Sequence, residues 1–517
     1  MNLKYNTFLG DPNKFEADVE RHRNATLESV RDAVARYLDT RSRLLVRFRV
    51  ESSGRESQVE FDRSKEPPLG ADRPFNAPEV KSAKLENGME ILVVERNDLP
   101  KLAVTLATRA GSAADPAGKE GLADMTVAMM KRGTKTKDAL EIEEALGDLG
   151  ASVTAAAGCE HASLSLEVLK RNLTPALTIL ADIVRDPAFS DTEAEREREQ
   201  RLDTLAQESQ DATAIAVRVG TMLIFGADHP YGRPAQGLPQ TIERITRDDL
   251  AWFYETYWKP GSSALIFIGD ITLDEATELA NQNFGLWSGG AAPSIQIPAP
   301  RPAGPGKVYL VDRQDAAQTF VAQILPAPPR ESDDYYAMSL ADMVWGGGFS
   351  TRLNMNLRED KGYSYGAYSY PLFYSKAGAW SSQAGIQTDK TKEALVEFDK
   401  ELRYLAGEKP ISDEELLEAK AKRIRGYAQQ FESLNQIAGQ IAALWVYSLP
   451  MTEMQREPTQ LDKTTLDAVN AVASKYAAPV TATTLLVGDL SEIEAGVREL
   501  NLGEVIVLDV EGNPVTK

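Results

Sequence analysis

Few side chains in this sequence could perform catalysis together. The 517 residues contain three histidines, His22, His161 and His229, which are too few and too scattered to predict a zinc cluster. Cys159 and Glu160 precede His161 and are potential ligands, but neighbours at i, i+1 and i+2 do not converge on one point. Since Cys159 is the single cysteine, an intrachain disulfide is excluded.

Two further features that could bind a ligand or stabilise charge lie in the second half of the chain, within residues 346–365. Three consecutive glycines, 346–348, would let the backbone approach a ligand closely, but no Gly-Lys-Ser/Thr follows, so a phosphate loop is not indicated. Arg358 and Tyr365 combine a fixed cation with a phenol donor, which can stabilise developing negative charge. Taken alone, Arg358 is more typical of a surface ion pair with Glu359 or Asp360, and Tyr365 is more typical of sheet packing.

Composition restricts the classes of partner. Hydrophobic residues make up 43% of the chain and charged residues 26%, as in an ordinary globular protein. The net charge of −20 disfavours nucleic acid and anionic membranes as partners. No apolar run reaches the roughly 18 residues that span a bilayer, and the short polar start shows no signal peptide.

The sequence repeats itself over a distance that corresponds to a whole domain. Three segments share a Thr, an apolar residue four positions later and a Tyr eleven positions later; they start at Thr26, Thr246 and Thr465, which are 220 and 219 residues apart. A tetrapeptide, Leu-Ala-Asp-Met, also recurs, at 122–125 and 340–343. We therefore expect two complete units preceded by the tail of a third.

The composition shifts along the chain give the expected boundaries of these units. The tail covers 1–52, with a helix that Thr26 caps and a strand at 44–50. A polar, Pro-containing linker is expected at 53–80, and the first unit at 81–288. A Pro/Gly linker is expected at 289–306, and the second unit at 307–517.

Helices and strands are mixed within each unit. Hairpin signals at the start of each unit precede several amphipathic helices, including a helix that opens at Leu122 and one at 192–208. This order favours the α+β class, with a mostly antiparallel sheet covered by helices.

Several stretches resemble the pitrilysin/insulinase (M16) metallopeptidase family. They lie in the first unit, in the second unit and at the end of the chain, so that the resemblance covers essentially the whole sequence; the stretches are 121–134, 229–232, 346–365 and 502–514. The family is built from repeated domains of about this length. The resemblance therefore implies two homologous M16-type domains.

Active M16 members carry an inverted zinc motif, H-x-x-E-H, on the helix that corresponds to 124–128. In that motif two histidines on one helical face bind Zn²⁺, a downstream Glu completes the ligands, and the Glu of the motif accepts a proton from the bound water. Here the functional positions hold Asp124, Val127, Ala128 and Thr204. We predict that this chain binds no metal and does not hydrolyse peptides by itself.

The resemblance gives Arg358 and Tyr365 a more specific role. Many M16 enzymes supply an Arg/Tyr pair with this seven-residue spacing from the half opposite the zinc, where the pair holds the substrate carbonyl and stabilises the oxyanion. We therefore predict that Arg358 and Tyr365 bind substrate. Gly362 between them is expected to end a helix, so that Tyr365 begins a loop or strand.

The resulting hypothesis is a non-catalytic half of an M16 zinc metallopeptidase. Its partner would be an M16 half that carries H-x-x-E-H and the zinc, fused upstream or separate, and together the halves would enclose unfolded peptides in a chamber, where a sheet edge could add the peptide as a strand. Two alternatives stay open: a structural M16 homologue without peptidase function, and a peptide-binding protein that acts alone. Because fused bacterial relatives are commonly exported, the expected location is the periplasm.

Overall fold

The computed structural model describes residues 14–38, 75–300 and 304–515. The chain forms two compact units, Met1–Ala71 and Asp72–Lys517. Within the first unit, the described residues form helices α1, Phe15–Arg23, and α2, Leu27–Tyr37. The strand expected at 44–50 lies outside the described residues.

Helix α2 begins where the sequence predicts it. The Thr26 hydroxyl accepts the Ser29 N–H at 3.1 Å, and the Ser29 hydroxyl accepts the Thr26 N–H at 2.9 Å. This reciprocal capping satisfies two backbone donors that a helix start leaves without a partner.

Twelve strands occur in the described part of the second unit. They are β1 Lys81–Lys84, β2 Glu90–Glu95, β3 Lys101–Thr108, β4 Ser152–Ala157, β5 Ala162–Leu169, β6 Ser263–Gly269, β7 Lys307–Asp312, β8 Gln318–Ala327, β9 Ser364–Phe373, β10 Gly378–Gln387, β11 Thr483–Gly488 and β12 Glu504–Leu508.

The helices of the second unit follow the same chain order. They are α3 Leu122–Met130, α4 Ala139–Asp148, α5 Leu173–Arg185, α6 Asp191–Glu208, α7 Ala212–Phe225, α8 Pro239–Ile242, α9 Arg247–Tyr257, α10 Leu273–Phe284, α11 Tyr335–Trp345, α12 Arg352–Asn354, α13 Thr391–Arg403, α14 Asp413–Tyr427, α15 Leu434–Val446, α16 Glu453–Lys463, α17 Leu466–Tyr476 and α18 Leu490–Glu499. Residues Met355–Asp360 continue α12 as a π-helical turn.

The strands form two six-stranded sheets of closely related topology. The first has the order β1-β2-β6-β3-β5-β4 and the second β12-β7-β11-β8-β10-β9. In both sheets, the five consecutive strands of a repeat occupy the same order, and the first and fifth of them pair in parallel. Seven of the ten pairings between described strands are antiparallel, which confirms the predicted α+β class.

Each sheet buries one face against helices of its own repeat. On the first sheet, alternate residues such as Val93 and Val104 pack with α3, α5, α9 and α10. On the second sheet, Leu310 and Leu325 pack in the same way with α11, α13 and α17. These two cores explain why the amphipathic helices of both repeats form despite modest intrinsic propensity.

The opposite face of each sheet is covered by a helix from the other repeat. Ile437 and Ile441 of α15 pack against Leu92 and Ile266 of the first sheet. Reciprocally, α7 places Val219 against the second sheet. The N-caps of these helices, Asp211 and Ser433, are 222 residues apart, which is close to the repeat length. The two helices are therefore equivalent elements of the two repeats. Because each packs on the sheet of the other repeat, they join the two halves of the unit.

Candidate functional site

Helix α3 positions the residues that stand at the expected zinc-ligand positions. Its N-cap, Gly121, has a φ of 95°, which glycine adopts without steric cost. The buried Asp115 carboxylate accepts the backbone N–H groups of Gly121 at 2.9 Å and Ala123 at 2.8 Å, which fixes the start of the helix. Burial raises the pKa of Asp115 well above its usual range, and these hydrogen bonds oppose that effect.

The structure brings α3 and α6 into contact, so that the four predicted positions lie on neighbouring helices. Asp124 is ion-paired with Arg201 of α6. Val127 is buried, and the Thr204 hydroxyl donates to the Gln200 carbonyl of its own helix at 2.9 Å.

This set of side chains does not fit a zinc ion. The Asp124 carboxylate is taken by a guanidinium, which repels a second cation, and the hydrocarbon side chain of Val127 cannot bind metal or accept a proton. Within the ranges that the structure describes, no group of three or more His, Cys, Asp or Glu side chains could hold a metal ion.

Arg201 belongs to a network of alternating charges between α3 and α6. Its Nη2 lies 3.3 Å from Glu197 Oε1, and Glu197 Oε2 in turn accepts from Arg132 Nη2 at 2.8 Å. The side chains of Arg201 and Glu197 are only 12% and 8% exposed. Two carboxylates therefore balance two guanidinium groups, so that each charge of this mostly buried contact has a partner of opposite sign.

The second repeat carries the same two residue types at the equivalent places. Asp342 corresponds to Asp124 in the repeated tetrapeptide, and Arg423 follows the N-cap Ser412 by the same eleven residues that separate Arg201 from Ser190. In this repeat the two side chains take different partners: Asp342 Oδ1 accepts from Ser369 Oγ at 2.6 Å and Trp380 Nε1 at 2.8 Å, whereas Arg423 pairs with Glu457 at 3.1 Å.

Arg358 and Tyr365 form a contact pair on the surface of the second repeat. Arg358 lies in the π-helical turn after α12, and Tyr365 is the second residue of β9, which confirms that a strand begins there. The Arg358 guanidinium carbon is 4.9 Å from the centroid of the Tyr365 ring and 4.8 Å from that of Phe349. The guanidinium thus contacts two aromatic rings.

Both members of this pair remain accessible. The Arg358 side chain is 28% exposed and also contacts Glu359 at 3.2 Å, while Tyr365 is 85% exposed. Strand β9 is the edge strand of its sheet, so its outer backbone groups have no strand partner among the described residues.

A cleft of about 640 Å³ is lined by residues of both repeats. Asp124 lines it on the side of the first repeat, and Leu372 and Tyr374 line it near the end of β9. Tyr365 lies seven residues before Leu372, about 23 Å along an extended strand. Neither Arg358 nor Tyr365 lines this cleft, so it does not bring the pair together with Asp124.

The segment 159–161 and His229, whose roles the sequence left unassigned, contribute to the junction between the repeats. Glu160 accepts the Tyr231 hydroxyl at 2.7 Å and the Ser375 backbone N–H at 2.9 Å. His229 Nε2 lies 3.1 Å from the Pro298 carbonyl of the connecting segment. Burial raises the pKa of the Cys159 thiol to about 12, so the thiolate that a nucleophile needs is disfavoured.

Comparison with known families matches two family models to the chain. The insulinase model (peptidase family M16) matches residues 91–220, and the model of the peptidase M16 inactive domain matches 244–423, together more than half of the chain. Among curated proteins, an uncharacterized zinc protease of Rickettsia felis is 25% identical over 66% of this chain and 81% of its own length. The non-peptidase homologue YmxG of Helicobacter pylori is 25% identical over 76% of this chain and 89% of its own length.

Solved structures show the same fold. A peptidase M16 inactive domain from Pseudomonas fluorescens has a TM-score of 0.73 and 25% identity, covering 80% of this chain and 98% of that one. The periplasmic protease PqqL from Escherichia coli has a TM-score of 0.68 and 16% identity, covering 82% of this chain and 49% of PqqL. Together with the family models, these matches confirm the predicted resemblance: the chain belongs to the M16 peptidase family.

Proposed function

We propose that this protein is the non-catalytic, substrate-binding half of an M16 zinc metallopeptidase. A partner half with an intact H-x-x-E-H motif binds the zinc and cleaves the peptide. This chain contributes Arg358, Tyr365 and part of the wall of a chamber that admits unfolded peptides. The proposed domains are those expected from the sequence, 81–288 and 307–517, with 1–52 as the tail of an upstream M16 domain.

The observation that carries this proposal is the geometry of Arg358. Two aromatic rings contact the guanidinium of Arg358, whose side chain is 28% exposed, and one of these rings is the exposed phenol of Tyr365. A cation and a hydroxyl donor fixed in this way can stabilise the negative charge on a peptide carbonyl oxygen during hydrolysis. An ordinary surface ion pair with Glu359 does not require the ring of Phe349 or Tyr365.

The state of the zinc positions supports a partner rather than an independent enzyme. Arg201 neutralises Asp124, and Val127 offers no base. We therefore assign peptide cleavage to another polypeptide segment. The match to PqqL agrees with a paired arrangement, because this chain corresponds to about half of that periplasmic protease.

We also propose the periplasm as the location, on the basis of that same neighbour. In the described part of the chain, no helix has the length and apolar character needed to cross a bilayer.

A non-enzymatic M16 homologue is the second candidate, and the name of the Helicobacter pylori relative favours it. In that case the fold would be kept as a scaffold and Arg358 would have no substrate to bind. A peptide-binding protein that acts alone is the third; it would bind unfolded peptides with the same Kd whether or not an H-x-x-E-H half is present.

Reconstitution tests the proposal. The chain is mixed with the H-x-x-E-H-bearing M16 protein of the same organism, and hydrolysis of a fluorogenic peptide is followed. We expect Arg358→Ala to lower kcat by about 100-fold, as loss of one oxyanion donor does. Arg403→Ala, which removes a half-exposed arginine from α13, is the matched control and should leave kcat unchanged. Full activity of the Arg358→Ala mixture would favour the scaffold.

A further inference from the structure

The helix α2 exposes an apolar face. Leu27, Val30, Val34 and Leu38 recur at helical spacing, and their exposed fractions are 70%, 51%, 49% and 71%. Isolated helices of this length are marginally stable in water, so such a face normally packs against another element.

The internal repeat shows what covers this face in the other two copies. Val30 corresponds to Leu250 of α9 and to Val469 of α17, which are both fully buried. Helix α9 packs against α3, and α17 packs against α11. In each complete repeat, therefore, the Thr-capped helix covers the helix that follows the repeat's second strand.

Among the described helices, both surfaces of this kind, here called seats, are already covered. The seat on α3 holds α9 through Leu250 and Phe253, and the seat on α11 holds α17 through Val469 and Val472. A third copy of the covering helix consequently requires a third seat, which belongs to another M16 unit.

The side chains of α2 identify the kind of seat. At two positions α2 has the same residues as α17 but not as α9: Leu27 matches Leu466 and Val30 matches Val469. The next two core positions are also small in both helices, Ala33-Val34 in α2 and Val472-Ala473 in α17. In α9 these positions are Phe253 and Tyr254, which need a wider groove.

We infer that α2 is a docking helix for the partner half of the proposed peptidase. Its apolar face covers the helix of the partner's second repeat that corresponds to Tyr335–Trp345, at a seat that the partner's own chain leaves open. This inference rests on the proposed function for the choice of partner, but not on peptide hydrolysis.

The test compares two double variants of the full chain for binding to the H-x-x-E-H-bearing M16 protein of the same organism. Val30→Asn/Val34→Asn makes the exposed apolar face polar, while Glu28→Gln/Asp32→Asn changes the opposite face. Val and Asn have similar helix propensities, so α2 is retained, and circular dichroism checks this. We expect the valine variant to raise Kd at least about tenfold and the control to leave Kd unchanged.

An unchanged Kd for the valine variant, or an equal rise in both variants, would overturn the inference. So would a homodimer of this chain that only the valine variant dissociates, because the covered seat would then be on a second copy. The Arg358→Ala variant separates the two proposals: it should lower kcat without changing Kd. If the Val30→Asn/Val34→Asn variant raises Kd but the Arg358→Ala variant keeps full kcat, the docking role of α2 is supported and the substrate-binding role of Arg358 is rejected.

Discussion

The Asp124 carboxylate on α3 is ion-paired with the Arg201 guanidinium on α6. The pair is largely buried, with the Arg201 side chain 12% exposed and that of Asp124 20% exposed. A protein cation thus takes the position that the resemblance assigns to a metal cation. This ion pair itself links the two helices.

The first prediction concerns the stability that this ion pair provides. Arg201→Met leaves Asp124 and one oxygen of Glu197 without their partner, and we expect the free energy of unfolding to fall by about 2 kcal/mol. Arg196→Met removes a more exposed arginine from the same helix, 54% exposed, and should cost less than about 0.5 kcal/mol. Urea denaturation measures both; equal losses would show that the Asp124 pair contributes nothing special.

The second prediction concerns Phe349 as a positioning residue for Arg358. Phe349→Ala removes one of the two rings that hold the guanidinium, and we expect kcat of the reconstituted peptidase to fall about threefold. In the Arg358→Ala background the same change should have no further effect, because its target is gone. Met355→Ala, an exposed apolar residue of the same segment, serves as the control. Additive losses in the double variant would contradict the positioning role.

The third prediction concerns the exchange of helices between the repeats. Ile441 of α15 is fully buried against the first sheet, so Ile441→Ala should lower the free energy of unfolding by about 3 kcal/mol. Hydrogen exchange should show that strands of both sheets lose protection together. Val396→Ala, at a position that is 44% exposed, is the matched control. Loss of protection in one sheet alone would mean that the two repeats unfold independently.

The fourth prediction concerns the pH dependence of stability. Burial raises the pKa of Asp342 to about 6, although hydrogen bonds from Ser369 and Trp380 oppose this. The folded protein therefore keeps a proton that the unfolded chain has already released, and the contribution of Asp342 to stability falls as the pH rises from about 4 to about 6.

Asp342→Asn should abolish that fall. Relative to this variant, the unsubstituted protein should lose about 2 kcal/mol between pH 4 and pH 6, with no further change above. Asp389→Asn, at a side chain that is 72% exposed, controls for the loss of a carboxylate. A constant difference between the protein and Asp342→Asn across this range would refute the prediction.

Much of the fold could be predicted from the sequence because its signals are local. The cap at Thr26 and the strand beginning beside Tyr365 depend on neighbouring residues. Strands β4, β5, β10 and β12 were among those not predicted; in β4 and β10 the many Ala, Ser and Gly residues have weak strand propensity.

The contacts between distant residues could not be predicted in the same way. Arg201 is 77 residues from Asp124, and its only sequence signal is an opposite charge one helical turn before Thr204. The packing of α7 on the other repeat had a clearer sequence indication, because the mostly apolar segment Ala212–Phe225 favours a helix that is buried on more than one side. No sequence pattern indicated a role for Phe349, because that role depends on where the Arg358 side chain lies in the folded protein.

The most direct test of the account measures hydrolysis of a fluorogenic peptide by this chain alone, by the H-x-x-E-H-bearing M16 protein alone and by their mixture, each with and without a zinc chelator. We predict hydrolysis that the chelator abolishes in the mixture, and no hydrolysis by this chain alone. Chelator-sensitive hydrolysis by this chain alone would contradict the account.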